Sequence, residues 1–349
     1  MDWQIFGILT QDGITSGAIY ALLALALVLV FSVTRVIFIP QGEFVAYGAL
    51  TLATIQSGVA PKVTWLLIGM GVLVFLLDVG SALRQQPRRR ALGRYIASCA
   101  VKYLLFPVAV HATMQVLPLA TLPQALQVLL TVCAVVPLGP MLYRIAYQRL
   151  AQAPVLVLLI VSVSAHFLLT GIGLLVFGAE GMRTTPFNDF AMEFGGQRIT
   201  GQSMTVVLTS IALIVMLWLY FDRSLSGKAL RATAVNRLGA NLVGIGTSQA
   251  GRLAFTLAAA IGTLSGILIG PMTTVFYDSG FLIGLKGFVG AIVGGLVSYP
   301  LAAAGAIFVG LLEAFSSFYA SQFKEVFVFT LILPILLWRS LTSKHLDEE

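Results

Sequence analysis

Three ionisable side chains lie inside strongly apolar stretches of the chain, where a charge most needs an explanation. They are Glu43, Lys286 and Glu313, and His166 occupies a fourth apolar stretch. A charge within a membrane costs about 2.5–3.5 kcal/mol on insertion scales, so each one requires a partner or a function. Two interpretations remain open. Either Lys286 forms a structural ion pair with Glu43 or Glu313, or these groups line a path for a substrate or for protons.

His166 is expected to be a hydrogen-bonded residue of a helix bundle. Asp78 and Lys102 lie nearer the ends of apolar segments, where we expect their side chains to extend toward the polar surface of the membrane. Cys99 and Cys133 also lie in apolar stretches, so we interpret them as small buried hydrophobic residues without a disulfide.

No set of residues resembles a catalytic or metal site. The sequence has no His/Cys/carboxylate group with metal-ligand spacing, no H-E-x-x-H and no G-x-S-x-G motif. Gly227-Lys228 is followed by Ala229 and has no phosphate-binding loop before it, so a Walker A motif is absent. We therefore expect no catalytic residue, metal or cofactor on this chain. If ATP is used, ATP and Mg²⁺ are bound by another chain.

The composition requires a membrane. Of 349 residues, 58% are apolar and 10% are charged, where a soluble domain has about 25% charged residues. This excludes an ordinary soluble enzyme and a disordered chain. The net charge is +7, but no basic arm or aromatic-basic face indicates nucleic-acid binding. We predict an all-α polytopic membrane bundle that forms one transmembrane domain over residues 1–349.

The apolar residues form eleven candidate spans, since a span needs about 20 of them. Nine to eleven spans are expected, and the second, ninth and eleventh candidates are the shortest or most interrupted. The N-terminus lacks the basic region of a cleavable signal peptide, so none is expected. Breaks at Pro40, Pro271 and Pro300 predict broken helices, which often line transport routes. The candidates are residues 14–33, 39–56, 63–79, 95–116, 122–142, 154–177, 204–221, 253–275, 282–297, 301–319 and 326–338.

The positions of Lys and Arg predict the orientation. With the N-terminus outside, fifteen of the 21 basic residues fall in inside segments and four fall in outside segments. The C-terminus is then inside. Residues 80–94 form an inside loop rich in arginine, residues 178–203 form an outside loop, and residues 222–252 form a second inside segment.

Small residues spaced four apart predict close helix packing. Gly262, Gly266 and Gly270 are one such series, and Gly13 and Gly17 begin another. In lipid, such series let helix backbones approach each other closely. The pattern is common to channels, transporters and membrane enzymes, so it indicates a bundle and no particular function.

The inside segment 222–252 contains a predicted amphipathic helix from Gly227 to Val243. An apolar stripe that includes Leu230, Leu238 and Leu242 lies beside Lys228 and other basic residues. Such a helix either lies on anionic lipid or docks into a partner protein. The residues alone favour neither interpretation.

The sequence resembles the H-type permease subunits of branched-chain amino acid (leucine/isoleucine/valine) ABC importers. Ordered motifs carry the resemblance over most of residues 13–60 and 140–340. They are GAIYAL (17–22), PQGE (40–43), RIAYQRL (144–150), FGAEG (177–181), GKALRA (227–232) with Asn236-Arg237, Ala240 and Gly244-Ile245, GLKGF (284–288) and EAFSS (313–317).

The resemblance implies that residues 222–252 are a cytoplasmic coupling segment that docks into an ATPase. Its expected coupling residues are Gly227, Leu230, Arg231, Ala234, Asn236, Arg237, Ala240, Gly244 and Ile245. The implied partners are a homologous second permease, two P-loop ATPase subunits, an extracytoplasmic solute-binding protein and membrane lipid. The implied location is the bacterial inner membrane.

Two departures from the family bear on function. Residues about 80–120 have no counterpart in the usual shorter permease, so they are interpreted as an inserted basic loop and helical hairpin. Ser164 and His166 stand where the family commonly has Gly and Ser. The expected translocation path or buried charge network comprises Gln41, Gly42, Glu43, Ser164, His166, Lys286 and Glu313.

The predicted function is that of a permease subunit without its own ATPase site, in an importer of branched-chain or related amino acids. Urea, amides and aromatic acids are alternative substrates. An ion-coupled secondary transporter or channel that uses Glu43, Lys286 and Glu313 is the alternative mechanism. A membrane-embedded enzyme is disfavoured because no catalytic set is present.

Overall fold

The computed structural model describes residues 3–84, 89–188, 190–194, 197–296 and 298–342, which are almost entirely helical. Part of the predicted basic loop, residues 85–88, lies outside the described residues. The helices of the first half are α1 (Trp3–Thr34), α2 (Gln41–Gln56), α3 (Val63–Arg84), α4 (Arg89–Ala100), α5 (Phe106–Val116), α6 (Gln124–Val135), α7 (Leu138–Leu142) and α8 (Val155–Phe177). Short π and 3₁₀ turns connect α4 to α5 at Val101–Leu105 and extend α7 over Tyr143–Tyr147 and Gln148–Leu150.

A two-stranded antiparallel hairpin separates the two halves of the chain. Its strands are β1 (Ala191–Phe194) and β2 (Gln197–Thr200), paired from Ala191 opposite Thr200 to Phe194 opposite Gln197. The helices that follow are α9 (Gly201–Arg223), α10 (Leu225–Val235), α11 (Arg237–Leu242), α12 (Thr247–Ile269), α13 (Ser279–Val293), α14 (Tyr299–Tyr319), α15 (Lys324–Thr330) and α16 (Ile332–Thr342).

Among the described residues, eight continuous helical runs are long and apolar enough to cross a membrane. They correspond to predicted spans one, three to eight and ten. The second and ninth predicted spans are the shorter helices α2 and α13, and the eleventh is divided between α15 and α16. These are the three candidates that the sequence marks as short or interrupted. The all-α polytopic membrane bundle is confirmed.

The centre of the bundle is formed by α1, α2, α12, α13 and α14, and glycine allows these helices to meet closely. A Cβ atom on Gly266 of α12 would overlap the Val45 carbonyl of α2, and one on Gly310 of α14 would overlap the backbone of Gly17 in α1. The predicted small-residue series therefore mark helix contacts. Because lipid provides no hydrophobic drive for association, this close packing is what holds the helices together.

The predicted break in the eighth span is present, and residues of the predicted outside loop 178–203 form hydrogen bonds to the backbone that follows it. Helix α12 ends at Ile269, just before Pro271. Arg183 of the loop donates hydrogen bonds to the carbonyls of Pro271 and Met272, at 2.9 and 3.1 Å, and Met182 pairs with Val275 through backbone hydrogen bonds. A broken helix leaves backbone carbonyls without their helical hydrogen bonds, and such carbonyls are tolerated inside a membrane protein only when other groups bond to them. Here the Arg183 guanidinium donates those hydrogen bonds.

The segment interpreted as an insertion packs beside α3. Helices α4 and α5, with the π turn between them, form one continuous apolar run from Leu92 to Val116. Gly71 of α3 faces the backbone carbonyl of Tyr103 in the π turn, with no space for a Cβ atom between them. The run is mostly exposed on its other side, as expected for a helix that faces lipid.

Candidate functional site

Glu43 and His166 form a buried pair between α2 and α8. Glu43 Oε1 lies 2.6 Å from His166 Nδ1, and both side chains are almost fully buried. The imidazole ring stacks on Phe281 of α13, with ring centroids 4.4 Å apart. The expectation that His166 is a hydrogen-bonded bundle residue is confirmed. Its partner is the carboxylate that the sequence places in the candidate path.

Glu43 retains one free oxygen. Its Oε2 atom is buried without a hydrogen-bond partner in the described part of the chain, and a small cavity lined by Glu43, Tyr47, Leu138 and Leu169 lies beside it. Gln41, two residues earlier, donates from Nε2 to the Ala258 carbonyl at 2.9 Å. The start of α2 therefore connects α8 on one side with α12 on the other.

Gly42 is the point where α2 crosses α13. A Cβ atom on Gly42 would overlap the carbonyl oxygen of Gly280, and one on Gly280 would overlap the carbonyl of Gly42. Both obstructing atoms belong to backbone, so no side-chain rotation can relieve the overlap. The Gly42 position is thus required for packing, independently of any role in transport.

We expect Gly42→Ala to destabilise the protein by about 1–3 kcal/mol or more, the usual cost of overpacking. Thermal unfolding of the detergent-solubilised protein measures this. Gly171→Ala in α8 is the matched control, because nothing lies within 4 Å of a Cβ atom at Gly171, and it should be neutral or slightly stabilising. Equal stability of the two variants would contradict the packing role of Gly42.

Lys286 forms its ion pair with Glu313. The sequence alone leaves both Glu43 and Glu313 open as its partner. Lys286 Nζ lies 2.5 Å from Glu313 Oε1, and the Tyr20 hydroxyl donates to Glu313 Oε2 at 2.6 Å. The Lys286 ammonium also lies over the Tyr20 ring, 5.8 Å from its centroid. Helices α1, α13 and α14 are joined at this point, and the prediction that Lys286 pairs with an acidic residue is confirmed. Glu43 is not part of it.

Ser164 does not join either cluster. Its side chain is exposed and bonds only to the Ile160 carbonyl within its own helix. The serine that faces inward is Ser162, whose hydroxyl lies 3.1 Å from the Tyr147 hydroxyl. Successive helix residues point about 100° apart, so a two-residue difference is enough to move a side chain from the lipid face to the interior.

The structure also contains a buried ion pair that the sequence interpretation missed. Asp78 of α3 pairs with Arg144 in the π turn that follows α7, with Oδ1 and Nε 2.5 Å apart and both side chains buried. The expectation that Asp78 extends to the membrane surface is therefore wrong. Lys102 is exposed. The available signal was the presence of one acid and one base at the predicted inside ends of the third and fifth spans.

Residues 222–252, which are expected on the cytoplasmic side and are called the cytoplasmic segment below, contain two short helices ahead of α12 and not the single helix predicted over 227–243. Ser224 caps α10 by accepting a hydrogen bond from the Gly227 amide at 2.9 Å, and Asn236 caps α11 in the same way through the Gly239 amide at 2.8 Å. Asn favours this capping position because its side chain satisfies a free amide of the first turn. Asn236 thus ends α10 and begins α11. Gly244, with φ of +87°, provides the turn that leads back toward α12.

The segment has a packed side and an exposed side. Leu230 is buried in a small core with Leu29 and Val33 of α1, Phe221 of α9 and Ala254 of α12.

Other residues of the segment are also held in place. Gly227 and Ala240 are buried, and Arg237 donates a hydrogen bond to the Ala151 carbonyl at 2.8 Å. Among the expected coupling residues, Gly227, Leu230, Arg237 and Ala240 therefore fix the segment to the bundle or to its adjacent loop.

The exposed side of the segment is strongly apolar. Leu238 and Leu242 are 79% and 87% exposed, and Val235 and Val243 are exposed to a similar extent. We call these four residues the cytoplasmic apolar face. Arg231, Asn236 and Gly244 are exposed beside it, and Ala234 and Ile245 are partly exposed. Large exposed apolar patches on a polar side of a protein usually mark an interaction site.

These features define a polytopic helical membrane protein with buried charge pairs and an exposed apolar face on the segment between α9 and α12. The chain belongs to the family described as branched-chain amino acid transport system / permease component, which it matches over residues 9–337. It is accordingly a multi-pass permease-family protein of the bacterial inner membrane.

Curated relatives agree with this assignment. The chain is 32% identical over 207 residues to the high-affinity branched-chain amino acid transport system permease protein LivH of Salmonella typhimurium, and 31% identical to LivH of Escherichia coli K12. Each match covers 56% of this chain and 65% of LivH, so the chain spans less than two thirds of these relatives. It is also 34% identical to the permease protein BraD of Pseudomonas aeruginosa over 140 residues, which cover 39% of this chain and 46% of BraD. No solved structure gives a significant match.

Proposed function

We propose that this chain is the transmembrane permease subunit of an ATP-driven ABC importer for branched-chain or related amino acids. The observation that carries the proposal is the cytoplasmic segment, which is fixed to the bundle through Leu230 and presents the cytoplasmic apolar face outward. A docking element of this kind needs a partner. A P-loop ATPase fits, because the chain has no nucleotide-binding motif of its own.

The packing of Leu230 supplies a route for mechanical coupling. Only Ser224 separates α9 from α10, and the core around Leu230 contains side chains from α1, α9 and α12. A displacement of the segment by a closing ATPase would therefore move the ends of three helices. Packed elements of this kind shift between discrete arrangements instead of deforming continuously. The mechanism is alternating access, with no covalent chemistry on this chain.

The other proposed partners follow from the family. A homologous second permease would form the path together with this chain, and two ATPase subunits would dock on the cytoplasmic side. A solute-binding protein would deliver substrate at the outside loop 178–203. Leucine, isoleucine and valine are the proposed substrates, since the permeases LivH and BraD are named for branched-chain amino acids. Urea, amides and aromatic acids are the alternatives to be tested.

Purification from native membranes tests this proposal. With an affinity tag on the chain, we expect P-loop ATPase subunits to co-purify, and the purified assembly should hydrolyse ATP. A chain that purifies folded and alone under conditions that preserve other membrane complexes would overturn the proposal.

A further inference from the structure

We propose that the helical run Leu92–Val116 braces the cytoplasmic segment, and that Tyr103 and Arg252 are the positioning residues through which it acts. The inference rests on the proposed function, because a brace matters only if the segment transmits force from a partner. The run lies within residues 80–120, which are predicted from the sequence to be an insertion. We therefore assign it a role in coupling as well as in contact with lipid.

The first observation is the polar partner of Arg252. This residue lies in the second turn of α12, at the end of the cytoplasmic segment, and is partly buried. Its Nη1 atom donates to the Tyr103 hydroxyl at 3.1 Å. None of the ion pairs among the described residues includes Arg252. A partly buried guanidinium thus depends on one neutral hydroxyl from the Leu92–Val116 run.

The second observation is that Tyr103 is itself firmly placed. Its side chain is buried, and its backbone carbonyl packs directly on Gly71 of α3. The same helix α3 carries Asp78, which forms the buried ion pair with Arg144. Tyr103 therefore presents its hydroxyl from a position that two independent contacts fix.

The third observation is that the middle of the segment is tied to the same region. Arg144 lies in the run that continues to Leu150, and the next residue, Ala151, accepts the hydrogen bond from Arg237 of α11. Contacts therefore lead from α11 through the 144–151 stretch and α3 to Tyr103, and from Tyr103 to Arg252. The middle of the cytoplasmic segment, at Arg237, and its end, at Arg252, are therefore held against one framework. The segment transmits a displacement only if the residues that hold it do not yield.

Amide hydrogen exchange of the full chain in lipid nanodiscs tests the brace. Tyr103→Phe keeps the ring and removes the hydroxyl. Since a hydrogen bond to a charged group contributes about a factor of ten or more to a local equilibrium, we expect about tenfold faster exchange over residues 225–252. Exchange in α13 and α14 should not change. Unchanged exchange over 225–252 would overturn the brace, and so would an equal acceleration throughout the chain.

Tyr143→Phe is the matched control. Its hydroxyl packs against Gly251, next to Arg252, but has no hydrogen-bond partner in the described part of the chain. Removing it should leave exchange over residues 225–252 unchanged. If both tyrosine variants accelerate exchange equally, the specific role of Tyr103 is wrong. The double variant Tyr103→Phe/Arg252→Gln should exchange no faster than Arg252→Gln alone, because the two residues act through one contact.

A functional measurement separates positioning from general stability. In the assembled transporter, Tyr103→Phe should lower substrate uptake per ATP hydrolysed while ATP hydrolysis continues. An unchanged ratio would overturn the role in coupling. Failure of ATPases to co-purify would instead overturn the proposed function, while the exchange experiment, which needs no partner, would still decide whether Tyr103 braces the segment.

Discussion

Replacing Leu238 and Leu242 by glutamate should detach the ATPase partners while the protein still inserts into the membrane. Both side chains belong to the cytoplasmic apolar face and have few contacts within the chain, so the substitutions have little effect on the fold. At a protein interface, an apolar anchor typically contributes about 2 kcal/mol or more. The double substitution should therefore weaken ATPase binding by at least about 100-fold. Co-purification of ATPase with the tagged chain measures the loss.

Two controls accompany this experiment. Leu238→Met/Leu242→Met keeps the face apolar and should retain the ATPase. Val116→Glu places an acid at a position that is also strongly exposed, but on the side predicted to be outside, and it should have no effect on association. A normal amount of ATPase bound to the Leu238→Glu/Leu242→Glu variant would show that the cytoplasmic apolar face is not the docking surface.

Replacing Lys286 alone should lower the free energy of unfolding much more than replacing Tyr20, Lys286 and Glu313 together. Lys286→Met leaves the Glu313 carboxylate without its cation in a largely buried position. Breaking one side of a buried ion pair costs about 3–5 kcal/mol, whereas replacing the whole pair by apolar residues is often nearly neutral. Thermal unfolding in detergent should therefore show a large loss for Lys286→Met. The triple variant Tyr20→Phe/Lys286→Met/Glu313→Leu, which leaves no polar group of the cluster unpaired, should recover most of that loss.

The triple variant also separates the two mechanisms considered for this chain. If Lys286 and Glu313 join α1, α13 and α14 and do nothing else, substrate uptake by the folded triple variant should persist. Uptake that is lost in a folded triple variant would assign the charges to an ion or substrate path and favour an ion-coupled transporter. Lys286→Met with wild-type stability would contradict the structural role directly.

The fold could be predicted from the sequence because hydropathy alone reports the spans. The short spans α2 and α13 were also predictable, since Pro40 directly precedes α2 and Pro300 lies shortly after α13. The end of α10 had a usable signal in Asn236, a strong capping residue, but the apolar stripe on both sides of it predicts one continuous helix. Local capping prevailed over the longer periodic pattern.

Pairings between helices could be predicted only in part. The cost of a buried charge predicts that Lys286 has an acidic partner, but the choice between Glu43 and Glu313 depends on how the helices rotate and pack. The Asp78–Arg144 pair was missed for the same reason, because residues 66 positions apart meet only in the folded bundle. Ser162 and Ser164 differ by two positions in one helix, and only the orientation of α8 decides which faces inward.

The most direct test of the central claim is substrate uptake by the purified assembly in sealed vesicles. We expect branched-chain amino acid uptake that requires ATP on the side of the cytoplasmic segment, requires the solute-binding protein on the opposite side, and is blocked by vanadate. It should proceed without any ion gradient. Uptake that follows a proton or sodium gradient and ignores ATP would contradict the account.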